Sequence, residues 1–388
     1  MFDAISYFPV LTTRAGELNA YEQCYPDVKN AMVPVFTLTR YAETESFANS
    51  AAALTGALEG RPAIVDFDPR ARPVTSLAEA AERRRRNNLR RVQAGQSESR
   101  PRSERQLAND AQRLRRTEAF NRSLADLMNP SEGPSRWLDL VETFPELVPV
   151  LRMTDAAALR RQLERTCAAG RPAAIRIRIS EPSETAIVLS CAGLIRSCAP
   201  FVVLIVDAGN IWGRGDAAAA GILDVLRRIR HDVGDEFDQV TIIALSTAFP
   251  RQPLRSMPPV LPISDLALHR EISEWFDVRL GDYGSLPNRT EDTIARGWFP
   301  HVDLATPDHW HVSLYENNRD ATKYVDASRD IVGNQELWSQ KVECWGTEVI
   351  EQVARGDQII GGRSFTHPSP WLSVRINQHM SQMVRHRL

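Results

Sequence analysis

A chain of 388 residues, 43% hydrophobic and 25% charged, is long enough to bury a full core as one large domain or two ordinary ones. A net charge of -2 excludes a global pull toward nucleic acid or membrane, and no apolar run reaches the roughly 18 residues of a membrane span. The start, Met1-Phe2-Asp3-Ala4, lacks the basic and apolar regions of a signal peptide, and the five cysteines include no CxxC pair, so reduced thiols in a cytoplasmic protein are expected.

Six segments share one opening, a proline followed at once by strand formers: Phe8-Pro9-Val10-Leu11, Val33-Pro34-Val35-Phe36, Arg61-Pro62-Ala63-Ile64, Val148-Pro149-Val150-Leu151, Arg171-Pro172-Ala173-Ala174 and Ala199-Pro200-Phe201-Val202. Proline suits the first strand position because its missing N–H costs no ladder bond there. The last of these continues as Val203-Leu204-Ile205-Val206-Asp207, apolar on both faces, as a strand of a helix-covered parallel sheet should be. Val240 to Ser246 and Trp275 to Leu280 complete eight strands. Helical stretches lie between, among them Asp155 to Leu163 and Asp216 to Arg230. Eight βα units predict a (β/α)8 TIM-like barrel over 1–299; an open doubly wound sheet is the alternative, but no GxGxxG follows the first strand.

Between the third and fourth strands the rhythm breaks. The excess, 77–127, carries Arg83, Arg84, Arg85, Arg86, Arg90, Arg91, Arg113, Arg115 and Arg116 around a Gly95-Gln96-Ser97 loop. It predicts an arginine-rich helical hairpin inserted after the third strand. Such a hairpin is either a solvated excursion or a contact arm for nucleic acid or an acidic partner protein. No aromatic residue interleaves the arginines, which argues against base stacking. From Pro300 onward a further strand (Trp310 to Tyr315) and two helices (Gln335 to Arg355, Pro370 to Arg387) form a C-terminal extension, 300–388, expected to pack on the barrel.

Side-chain alternation sorts the strand charges. Where Ile175, Ile177 and Ile179 face the helices, Arg176 and Arg178 face the lumen; Asp66 and Asp68 point inward by the same rule, as do Asp277 and Arg279. Strand ends add Arg40, Arg152, Asp207, Asn210, Ser246, Asp282 and Tyr283. Buried charges must pair or meet a ligand. The lumen is therefore either an ion-pair network or a pocket whose arginines hold phosphate or carboxylate. Asp66, Asp68 and Asp207 are the candidate catalytic carboxylates of an alternative, a metal-dependent phosphodiesterase or other hydrolase. His301, His309 and His311 lack an identifiable further ligand, and no metal site or cofactor is assigned.

The opening Tyr7-Phe8-Pro9-Val10-Leu11-Thr12-Thr13-Arg14-Ala15-Gly16-Glu17 and the closing Trp371 with Gln378-His379 resemble the phage-type beta protein family. The second strand departs from the family pattern, with Thr37 near the place of an acidic residue. The resemblance implies a protein of prophage and satellite-phage loci with a part in antiphage defence, and no established reaction. On that basis the chain is expected to be a binding module for a partner protein, toxin-like or nuclease-like, or for nucleic acid, with no membrane and with oligomerisation open.

Overall fold

The computed structural model describes residues 2, 4–40, 44–97, 101–250, 258–286, 299–315 and 320–385. In chain order the first strands are β1 (Tyr7–Thr12), β2 (Val35–Leu38), β3 (Ala63–Phe67), β4 (Leu147–Pro149), β5 (Ala173–Arg178), β6 (Val202–Asn210), β7 (Thr241–Thr247), β8 (Val260–Pro262) and β9 (Arg279–Asp282). All but β8 lie in one parallel sheet of eight, ordered β4-β3-β2-β1-β9-β7-β6-β5. Its two ends meet at a parallel bridge between Val150 and Ala174, where Leu151 N donates to Ala174 O at 2.7 Å. The sheet is thus nearly closed and barrel-like.

Closure splits the apolar side chains by parity. Phe8, Val10, Val35, Ile64, Val203, Ile205, Ile243 and Leu245 form one buried cluster in the lumen. Their neighbours, such as Ile175, Ile177, Leu204 and Ile242, pack outward under the helices. Helix Gly215–Val233 shows the outer layer's logic: Ile222, Val225, Leu226 and Ile229 share one face, and all are buried. Helix Ala156–Ala168 starts where expected because the Asp155 carboxylate accepts from Ala158 N at 2.7 Å.

The predicted hairpin is present as helices Leu77–Gln93 and Glu104–Met128. The second is anchored by Phe120, Leu124 and Leu127, and the Phe120 ring packs at a tilt against Phe47, with centroids 4.5 Å apart. The first buries no side chain.

Several expected boundaries move: Pro9 is the third residue of β1, and Pro149 closes β4 instead of opening it. Pro200 sits in a short 3₁₀ turn, Ala199–Phe201, ahead of its strand. The strand expected over 275–280 begins only at Arg279, leaving the Asp277 side chain 82% exposed. The helix expected over 335–355 is broken into Gln335–Trp338 and Trp345–Arg355.

Beyond the eight-stranded sheet, β10 (His301–Ala305) and β11 (His309–Leu314) pair antiparallel, and β8 adds to the free edge of β11. Helix Pro368–Arg385 returns to the chain start, where Ser373 Oγ donates to Gly16 O at 2.8 Å and Asn377 Nδ2 to Ala20 O at 3.1 Å. No single helix among the described residues is long and apolar enough to cross a membrane.

Candidate functional site

The C-terminal ends of the parallel strands open onto a cavity of about 490 Å³. Its floor is the apolar lumen; one step higher, the inward positions change from Val and Ile to charge. Arg176 follows Ala174 on β5, Asp207 follows Ile205 on β6, and Asp66 follows Ile64 on β3. Tyr283, just past β9, faces the same space.

Arg176 organises this layer. Its Nε and Nη2 donate to Asp207 Oδ2 at 3.1 and 2.8 Å, and Nη2 also donates to the Tyr283 hydroxyl at 2.6 Å. Tyr283 in turn donates to Asp207 Oδ2 at 2.7 Å. The Asp207 side chain is 1% exposed, so the triangle replaces its lost hydration. Burial alone would favour neutral Arg176, but Tyr283, Asp207 and Asp66 outweigh it and hold its pKa above the ordinary arginine value. Burial, chiefly, keeps the Tyr283 phenol well above its usual pKa, so it stays protonated and donating.

Asp66 is held more loosely. Arg152 Nη1 stands 3.5 Å from Oδ1, and Arg176 Nη1 stands 3.8 Å from Oδ2. Arg152 lies over the Phe67 ring at 4.2 Å, with Nη2 3.9 Å from Met128 Sδ. A guanidinium offers five N–H donors. Among the described residues, those of Arg152 make no hydrogen bond to oxygen, with the Asp66 carboxylate at ion-pair distance and the Met128 sulfur as their neighbours.

The other expected residues divide. Arg178 reaches the rim, but its fork is taken by Glu184 of the next helix, with Nε 2.9 Å from Oε1. Asp68 lines the cavity and is clamped by Arg70 through bonds of 2.8 and 3.0 Å, with Arg72 at 3.6 Å. Burial would raise Asp68, but the Arg70 hydrogen bonds hold it below the usual carboxylate value. Asp66 and Asp207 therefore converge on Arg176, while Asp68 is drawn away. Among the described residues no group of three or more His, Cys, Asp or Glu side chains is placed to hold a metal ion.

Arg40, Arg279, Asn210, Ser246 and Asp282 lie away from the mouth. Arg40 approaches the base of the hairpin, where Nη2 meets the Arg113 carbonyl at 3.5 Å, and burial together with Arg113, Arg116 and Arg72 lowers its pKa. Arg279 sits at the start of β9, paired with Asp277 at 2.9 Å. Asn210 donates to Phe249 O at 2.7 Å and accepts from Trp212 N at 3.2 Å. Asp282 points outward, two residues beyond outward Leu280. There it accepts from Tyr7 Oη at 3.0 Å and pairs with His379 Nε2 at 2.9 Å. Ser246 donates to nearby buried Asp265 at 2.7 Å.

Sequence reasoning passed over Thr12 and Thr37, which lie side by side in register and line the cavity. Both stand two residues beyond Val10 and Val35, which face the lumen, so strand alternation accounts for their place. It also passed over Glu17, whose Oε2 accepts from Thr12 N at 2.6 Å, and over Arg70 and Glu184, which lie in the connections. Of the hairpin arginines, Arg84 and Arg102 share Asp110 at 3.6 and 2.5 Å, and Arg116 meets Glu45 at 3.5 Å. The hairpin leaves the sheet at the end of β3, so it rises on the side of the mouth.

Comparison with known proteins places these features in a lineage. The family described as Beta protein matches residues 7–385. Protein beta of Enterobacteria phage P4 is 25% identical over 273 residues, covering 67% of this chain and 72% of that protein. No solved structure matches.

Proposed function

The chain belongs to the Beta protein family, and on that footing we propose that it is a binding module: a (β/α)8 TIM-like barrel that takes an anionic ligand at its mouth. One observation supports this most, the unfilled donor capacity of Arg152 and of Arg176 Nη1 on either side of Asp66. A phosphate or carboxylate entering there would gain charge-assisted bonds of about 1.5–3 kcal/mol each. The hydroxyls of Thr12, Thr37 and Thr154 line the same cavity and add neutral donors. Asp207 and Tyr283 hold Arg176 in place before any ligand arrives, which cuts the ordering cost of binding. The three carboxylates are engaged by arginines, so binding is favoured over metal-assisted hydrolysis.

Its setting, on the family resemblance, is a bacterial antiphage defence system, with the inserted hairpin as the contact arm for a neighbouring component. The mouth is tested by thermal shift and calorimetry with inorganic phosphate, nucleoside monophosphates and di- and tricarboxylates. At least one class should raise the melting temperature of the wild type, and Arg152→Gln should remove that effect while leaving the unliganded melting temperature within a few degrees. Binding to Arg152→Gln equal to wild type would sink the assignment. The defence role is tested by phage plating on cells carrying the locus with and without this gene; equal plating would remove it.

A further inference from the structure

Helix Leu77–Gln93 runs for 17 residues without a buried side chain. Most helical stability in proteins comes from packing an apolar face, and isolated helices of this length are marginal in water. This one has a reciprocal Ser76–Glu79 capping box, so it is built to be helical, yet within the described chain only its Ala80, Arg84 and Asn88 face is half-buried and the opposite face is exposed. It also keeps an apolar stripe. Ala81, Leu89 and Val92 recur at helical spacing with Arg85 between them. Leu89 is 55% exposed and Val92 49%. Leu77, Val74 and, on the second helix, Leu107 are exposed too, so half of the ten exposed large apolar side chains among the described residues fall within 74–107.

The helix carries six arginines against two glutamates. Arg83, Arg85, Arg90 and Arg91 have no carboxylate within ion-pair distance among the described residues, whereas Arg84 and Arg86 reach Asp110 and Glu82 at 3.6 and 4.0 Å. Apolar side chains set among uncompensated guanidiniums call for a surface that is both apolar and acidic.

We propose that the Ala81–Arg85–Leu89–Val92 face docks an acidic amphipathic helix of a partner protein, its leucine-type stripe against Leu89 and Val92 and its carboxylates on the flanking arginines. The proposal rests on the hairpin being the contact arm and is independent of the anion site in the mouth. A nucleic acid would use the arginines but would leave Leu89 and Val92 against phosphate, and no aromatic residue stands between 77 and 116 to stack a base. A second copy of this chain would bring two arginine-rich faces together, and like charges oppose that.

The test is fluorescence anisotropy on the full chain with a labelled helical peptide bearing a leucine stripe and a glutamate face. Beside it run its glutamine analogue, oligoglutamate and duplex DNA. The Glu/Leu peptide should bind more tightly than all three. Leu89→Gln with Val92→Gln should weaken it by roughly tenfold with the melting temperature unchanged. Three outcomes would overturn the proposal: no binding of the Glu/Leu peptide, DNA binding tighter than the peptide and indifferent to Leu89→Gln/Val92→Gln, or a concentration-dependent dimer abolished by those substitutions. Loss of phosphate binding by Arg152→Gln leaves this result untouched, so the two sites fail separately.

Discussion

Arg176 on β5 and Asp207 on the neighbouring β6 form a forked pair across the barrel mouth, with Nη2 2.8 Å and Nε 3.1 Å from one carboxylate oxygen. The pair is both scaffold and site. Asp207 is buried and Tyr283 completes its shell, whereas Arg176 keeps Nη1 turned toward Asp66. One end of a guanidinium can thus be locked by the fold while the other is available to a ligand.

Breaking the pair from one side should be costly. Arg176→Met leaves the Asp207 carboxylate buried without a cation, with the Tyr283 hydroxyl and the Gly209 N–H still donating to it, and removing one partner of a buried pair costs about 3–5 kcal/mol. The double change Arg176→Met with Asp207→Leu removes the uncompensated charge and should recover most of that loss. Urea denaturation of the two variants checks it: a double variant less stable than Arg176→Met would show that the pair itself, not the stranded charge, sets the cost.

Stability should fall as pH rises from mildly acidic to mildly alkaline. Burial, helped by nearby Asp282, pushes the Asp265 carboxyl up to about 6, against the pull of Ser246 and Ala248. Burial would lower His379, but Asp282 and Asp265 outweigh it and raise it. Both groups hold their protons more tightly folded than unfolded. Each therefore contributes stability below its unfolded pKa that is lost as pH climbs through the folded one. Asp265 loses its share between about pH 4 and 6, on the order of 3 kcal/mol, and His379 above about 6.5. Asp68, held low by Arg70, acts in the opposite sense and only at lower pH. Thermal unfolding of the wild type should give a lower melting temperature at about pH 8 than at about pH 5, and Asp265→Asn should flatten the acid part of the curve. A melting temperature that rises over that range would refute the assignment.

The legible part of the site comes from one rule, parity along a strand. It turns Arg176 and Asp66 toward the lumen, as the structure has them, because β5 and β3 pair with β6 and β2 in unbroken parallel register, with helices over Ile175, Ile177 and Val65. Applied one step further it would have placed Thr12 and Thr37 in the mouth and turned Asp282 outward. What parity cannot supply is the partner of Asp282. His379 is 97 residues away on the last helix, brought in by packing against β1 and the first helix. The hairpin is legible because the break in strand spacing, the arginine density and the Gly95 loop are local properties of the sequence, whereas its Ser76 and Ser103 caps and its Phe120 anchor come from the structure. Arg178 lines the mouth, but the Glu184 that takes its fork belongs to the following helix rather than to the sheet, so that pairing cannot be read from the strand alone.

Reversing charge on the arm should separate stability from contact. Arg84, Arg85, Arg90 and Arg91 changed together to Glu alter a helix with no buried side chain, so the fold loses only the Arg84–Asp110 pair. A surface pair is worth about 0–1 kcal/mol, and the melting temperature should move by no more than about 2–4 °C. Binding of the Glu/Leu peptide should disappear. Retained binding would rule the arginines out as its contacts.

A last prediction concerns the C-terminal packing that delivers His379. Gly346, in helix Trp345–Arg355, lies against helix Pro368–Arg385. A Cβ built there would stand 2.7 Å from Val374 O and 2.8 Å from Gln378 Cγ, and Gly346 N donates to Asn377 Oδ1 at 2.9 Å. Alanine is ordinarily the better helix residue by about 1 kcal/mol, but forcing a methyl against a backbone carbonyl costs about 1–3 kcal/mol and spreads the two helices. Gly346→Ala should therefore lower the melting temperature by several degrees. Gly333→Ala, with no atom within 4 Å of the new methyl, should be neutral or slightly stabilising. Since the last helix also carries His379, Gly346→Ala should weaken the alkaline part of the pH dependence as well; an unchanged pH profile with a lowered melting temperature would separate helix spacing from the His379–Asp282 contact.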